Sequence, residues 1–169
     1  MRELPKEFLK YNFKYVKIIA RTKKPFQSGW NKLDVSKEDI VKWIEKGNNV
    51  GVIAGYDNLI IIDYDSEEVQ DKCLKELPQT LMVQTGSGGI HAYYRVTGII
   101  NPPKFKILDK NNNTLIDVQG VGTQVLCPPS IHPNGNKYIL LNDIPITEID
   151  YYELKSYLVQ YDQTKRFYV

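Results

Sequence analysis

The chain has 169 residues, of which 42% are hydrophobic and 25% charged. These are values of an ordinary globular domain, and they exclude disordered, collagen-like and membrane classes. A net charge of +2 is too small to signal nucleic-acid binding by itself, because such binding depends on where Lys and Arg cluster. No apolar run approaches the ~20 residues of a membrane span, and the opening MRELPKEF lacks the apolar stretch of a secretory signal, so a cytoplasmic protein is expected. Cys73 and Cys127 lie too far apart for a zinc knuckle or a disulfide framework and read as reduced thiols.

In chain order, ELPKEFLKYNFKYVKII begins with helical spacing and turns extended near Lys14. The polar RTKKPFQSGWNK that follows reads as a loop. Ser36, with Asp39 three residues on and Ile40, Trp43 and Ile44 on one face, predicts a short capped helix ending at Gly47. Residues 50–54 and 59–63 are two apolar β-type runs around Gly55-Tyr56-Asp57-Asn58, the pattern of a hairpin. A helix over 66–77, capped by Ser66 and stopped before Pro78, comes next. Further strand pairs are expected at 80–84 with 90–96 around TGSGG, and at 114–118 with 123–127 around QGVG. A short strand at 137–141 and a helix from Thr147 to Tyr157 complete the pattern, which is that of one α+β domain built from hairpins and a few flanking helices.

The run LIIIDYD puts two carboxylates, Asp63 and Asp65, on one face of a strand, ~7 Å apart. Such a pair is costly without a compensating cation. Capping of the helix at Ser66 and a divalent metal site, Mg²⁺ taking carboxylates together with substrate phosphates, fit the pair equally well. Asp117 in TLIDVQG, again behind an aliphatic run where Asp is disfavoured in a strand, favours one shared metal site over three separate exceptions. The TGSGG loop offers backbone amides and the Ser87 hydroxyl to an anion. His91 opens the next strand on the same face as Tyr93 and Arg95, placed to give an N–H or a charge to what the loop holds. Ser130 and His132, in PPSIHPNGNKY, read equally as a surface turn and as substrate contacts.

In this order and spacing, IIDYD, GSGGIHAYY and IDVQGVGTQVLCPPSIHPNGNKY resemble the bifunctional primase-polymerase domain of the archaeo-eukaryotic primase superfamily. KKPFQSGWNK and NNVGVIAGYDNL add to a match over about residues 20 to 140. The resemblance implies an archaeo-eukaryotic primase-type catalytic core with an RRM-like sheet and a template-directed nucleotidyltransferase acting on a DNA template and primer with NTPs or dNTPs. It also implies two Mg²⁺ or Mn²⁺ ions on Asp63, Asp65 and Asp117, with His91 on the incoming triphosphate and Ser87, Gly88 and Gly89 lining it; from the loop reading above, Ser130 and His132 are the further candidates for contact with the nucleotide. Residues 1–169 would be the N-terminal catalytic part of a longer replication protein, joined to helical and helicase domains or to partner replication proteins.

Three departures stand out: Gly89 where relatives place a Ser two positions before the His, Gln119 where many carry a basic residue, and no Cys/His cluster for a zinc stem. The competing readings are a DxD-type nuclease or glycosyltransferase and a non-catalytic module binding single-stranded DNA or nucleotide. The last would use aromatic stacking and the basic segment formed by Lys10, Lys14, Lys17, Arg21, Lys23 and Lys24.

Overall fold

The computed structural model describes residues 2–167. A three-stranded antiparallel sheet is ordered β1 (Tyr15–Ile18), β2 (Asn49–Ile53), β8 (Gln124–Leu126). The larger sheet runs β6 (Phe105–Leu108), β7 (Thr114–Gln119), β3 (Leu59–Tyr64), β5 (Ile90–Thr97), β4 (Met82–Gln84), β9 (Ile139–Leu140). Its seventh strand, β10 (Thr147–Asp150), lies parallel to the second half of β5. With helices α1 (Lys37–Glu45), α2 (Glu67–Glu76) and α3 (Tyr151–Val159), the chain has the expected α+β class.

The strand β3 organises the molecule because both of its faces are apolar. Leu59 and Ile61 enter a core shared with the small sheet and α1, while Ile60, Ile62 and Tyr64 enter a second core under α2 and α3. A continuous aliphatic run is what a central strand needs when both its faces are covered, and each of these side chains contributes about 1.5–3 kcal/mol by leaving water.

That double burial also overturns two of the expected hairpins. Residues 50–54 and 59–63 do not pair: β2 joins the small sheet, whereas β3 lies between β5 and β7 in the large one. The runs at 114–118 and 123–127 part in the same way, β7 pairing with β3 and β6 and β8 with β2. The hairpin around TGSGG forms as expected, from β4 and β5. Both serine caps are present, the Ser36 hydroxyl accepting from Asp39 N at 3.1 Å and that of Ser66 from Val69 N at 3.4 Å. The N-terminal stretch makes only a 3-10 turn, Lys6–Lys10, before β1. The last helix starts four residues later than expected, because Thr147–Asp150 pairs with β5. Asp150 then caps α3 by accepting from Tyr152 N and Glu153 N, both at 3.0 Å.

Beyond α3 the chain returns to the outer edge of β6. Gln163 N donates to Leu108 O at 2.9 Å, Leu108 N to Asp162 Oδ2 at 3.0 Å, and Arg166 Nη2 to Lys106 O at 2.8 Å. Burial opposes the charge of Asp162. Hydrogen bonds from Thr164, Leu108 N and Arg166 outweigh it and hold the carboxyl at about 2. Stability from this group is therefore complete above its ordinary value of 3.8 and is lost as pH falls through that value towards about 2. Asp162→Ala is expected to cost roughly 2–3 kcal/mol at neutral pH, since hydrogen bonds to a charged group are worth about 1.5–3 kcal/mol. Urea unfolding at pH 7 and pH 2 checks this: the gap between variant and wild type should close at the lower pH.

Candidate active site

Strand register brings the singled-out residues into one line. Asp63 on β3 pairs directly with His91 on β5 and with Asp117 on β7, and Asp117 pairs with Lys106 on β6. Directly paired residues share a face of the sheet. Lys106, Asp117, Asp63 and His91 therefore form one row across four neighbouring strands. The row lies on the face of Leu59 and Ile61, one step past the point where those side chains close the core. There the two sheets diverge into a cleft of about 330 Å³, which Asp63 and His91 line while Asp117 and Lys106 flank it, with Gln124, Val125 and Leu126 of β8 also in its wall. Asp65, immediately after β3, opens into the same cleft, held by its backbone N–H to Leu115 O at 2.9 Å.

The cleft strains its own charges. Desolvation, then the charges of Asp63 and Asp117, push the Asp65 carboxyl above its usual value. Burial also raises Asp117, with Asp63 adding to the shift and Lys106 opposing it. His91 is buried, with Nε2 3.6 Å from Asp63 Oδ1, too far for a hydrogen bond. Its Nδ1 is buried and has no hydrogen-bond partner among the described residues. Burial, then the charge of Asp63, raises the Tyr138 phenol at the cleft wall to about 12, so it remains a neutral hydroxyl.

Three carboxylates under mutual repulsion form a hard oxygen donor set that suits Mg²⁺ or Mn²⁺. Among the described residues no three His, Cys, Asp or Glu side chains close round a single ion. A Mg²⁺ ion bound here would take one or two of these carboxylates and complete its shell with phosphate oxygens and water.

The glycine hairpin is a closed turn more than an open cradle. Gly88 N donates to Thr85 O at 3.0 Å and Gly89 N to Thr85 Oγ1 at 3.1 Å. Two amides expected to face an anion are thus satisfied within the loop. The Ser87 hydroxyl, 3.1 Å from Thr85 Oγ1, and Gly89 line the cleft, whereas Gly88, at φ 93°, lies on the opposite side of the turn.

Ser130 and His132 do not reach the cleft as expected. Ser130 is fully buried, donating to Val50 O at 2.9 Å and accepting from Val50 N at 2.8 Å, so its hydroxyl fastens the loop after β8 to β2. His132 packs behind the glycine hairpin, where a Cβ on Gly86 would come within 2.1 Å of the His132 Cβ. Asn134 and Asn136 clamp the same turn through Gly86 O, at 2.9 and 3.0 Å. PPSIHPNGNKY is thus a brace for the hairpin.

Lys23 was legible only as part of a basic segment, yet it is the one Lys or Arg among the described residues that line the cleft. Its loop is tied down by Thr22 O accepting from Asn49 Nδ2 at 2.9 Å and by Phe26 N donating to Lys17 O at 2.8 Å. The rest of that segment disperses: Lys10 pairs with Glu7, Lys14 lies over Tyr56 and Lys17 over Trp43. Arg95 is bound to Asp57 at 2.6 Å and to Glu148 at 3.1 Å, and Tyr93 is fully buried, so neither serves the cleft.

No helix of the described residues is long and apolar enough to cross a membrane. No relative among curated proteins matches the chain. A family model described as bifunctional DNA primase/polymerase, N-terminal, matches residues 6–150, a span that includes every residue of the cleft from Lys23 to Tyr138. With most of its length and its whole cleft inside that match, the chain belongs to the bifunctional DNA primase/polymerase family, a class of nucleotidyltransferases whose substrates are DNA and nucleotides.

Proposed function

We propose that the chain is the catalytic part of a template-directed DNA primase/polymerase that adds nucleotides to a primer 3′-hydroxyl, with Asp63, Asp65 and Asp117 holding two Mg²⁺ or Mn²⁺ ions. The observation that supports this most is the row Asp117–Asp63–His91 at the mouth of a polar cleft, with carboxylates whose repulsion calls for cations. When bound, the ions would lower the pKa of the primer hydroxyl and neutralise the leaving pyrophosphate. Asp63 sits between the other two functions of the row and fixes the site where the reacting phosphate must lie. His91, buried and short of partners, donates an N–H to the triphosphate, and the Ser87 hydroxyl and Lys23 meet the same anion from the hairpin and from the loop opposite. Gly89 lines the cleft beside them, and the brace through His132, Asn134 and Asn136 holds the hairpin in place.

Incubation with a labelled primer-template, dNTPs and Mg²⁺ or Mn²⁺ is expected to give extension that follows the template and stops when EDTA is added. A protein that binds the primer-template and extends nothing under either metal would instead be the non-catalytic DNA- or nucleotide-binding module.

A further inference from the structure

The row across the large sheet is asymmetric, and the asymmetry gives the cleft a direction. His91 and the hairpin carrying Ser87 stand on the β5 side of the carboxylates, the side proposed for the triphosphate. On the other side, past Asp117, stand Lys106 in the same row and Lys104 just before β6, whose backbone N lies 2.6 Å from where a Gly120 Cβ would be. From His91 to Lys106 the row crosses three strand spacings, ~14 Å, enough for the reacting atoms to lie between its ends.

Both lysines are exposed, and among the described residues neither joins an ion pair, whereas Lys10, Lys72, Arg95 and Arg166 each do. Their charges act on Asp117. Lysines often stand on edge strands to prevent pairing with another chain. That need is already met on β6, because the segment after α3 occupies Leu108 N, Leu108 O and Lys106 O. In-line displacement requires the attacking hydroxyl to approach from the side opposite the leaving pyrophosphate. With the pyrophosphate at the β5 end, the hydroxyl comes from the β6 end, carried by a chain of phosphodiesters.

Resting on the polymerase reading of the cleft, we infer that Lys104 and Lys106 receive the last backbone phosphates of the strand being extended and present its 3′ end to Asp117 and Asp63. Two lysines one residue apart in an extended segment lie ~7 Å from each other, a separation that successive phosphates can bridge. They also supply positive charge on the side where Gln119 brings none.

The test is a thermodynamic cycle read by fluorescence anisotropy, with Lys104→Gln/Lys106→Gln as the protein change. The DNA change is a primer whose last two linkages are neutral methylphosphonates. Wild type is expected to bind the neutral primer about tenfold more weakly than the ordinary one, with a salt dependence shallower by about one unit of slope for each phosphate charge removed. The double variant should bind both primers alike, at the weakened level. Equal losses on the neutral primer for wild type and variant, or a variant that binds the ordinary primer-template as tightly as wild type, would overturn the assignment, as would a wild type with no affinity for the duplex. Parallel extension assays keep the two ideas apart. A wild type that shows this cycle but extends nothing loses its catalytic role and keeps its strand site; one that extends normally without the cycle loses only the strand site.

Discussion

Asp63→Asn is expected to reduce primer extension by roughly 10³-fold or more at saturating nucleotide, because several kcal/mol of charge stabilisation leave the transition state together. The size of the effect follows from position. Asp63 is the residue of β3 that faces Asp117 on one side and His91 on the other, so its carboxylate stands between a proposed metal ligand and the residue proposed for the triphosphate. Asn keeps the volume and removes the charge. The row therefore remains in register, and the fold should melt no lower than wild type by circular dichroism. Extension within tenfold of wild type would mean that the chemistry is not centred on this row.

Asp117→Asn is expected to be as inactive, and yet more stable than the wild type when divalent metal is absent. Burial and the neighbouring Asp63 charge raise the Asp117 carboxyl, which means that the folded chain holds this proton more tightly than the unfolded chain does. Stability without metal consequently falls as pH rises through the ordinary carboxylate value of 3.8 towards the raised one, and the full penalty applies at neutral pH. Removing the charge lifts its desolvation cost and the repulsion of Asp63 while giving up the attraction of Lys106, and the balance should raise the Tm at pH 7. Adding Mg²⁺ or Mn²⁺ should raise the wild-type Tm and do much less for the variant. Calorimetry with and without EDTA decides the matter. A variant that melts lower than wild type in EDTA would show that Asp117 is held by favourable contacts instead of straining against its neighbours.

Local features of the fold were readable and distant pairings were not. Ser36 and Ser66 announce their helices because a cap needs only the amide three residues along the chain. The TGSGG hairpin was legible for a similar reason, its strands being joined by the turn that aligns them. Nothing local tells β2 from β3, two apolar runs on either side of one turn. Their separation depends on partners, β8 and β7, that lie more than 50 residues further along the chain. Strand β6, only four residues long and directly following Pro102-Pro103-Lys104, carried too little pattern to stand out. In the site, Asp63, Asp65, Asp117 and His91 each broke a local rule, as a charge or an imidazole at an otherwise apolar strand, and so drew notice singly; register is what sets three of them side by side. Ser130 and His132 broke no such rule, and their neighbours Val50 and Gly86 come from remote segments. Lys23 was one of many lysines until the loop at Thr22 was seen tied to Asn49.

The segment after α3 has a role beyond the bonds it makes. An open β6 would present its free amide and carbonyl groups, beside Phe105, as a template for a strand from a second molecule. Asp162, Gln163 and Arg166 occupy that template with groups from the same chain. Protection of the sheet edge and exposure of Lys104 and Lys106 beside it therefore involve the same stretch of chain. Cutting the chain after Gln160 would leave Asp63 and its row untouched while turning a covered sheet edge into an adhesive one, so that a loss of the proposed activity in such a fragment would reflect self-association and not damaged chemistry.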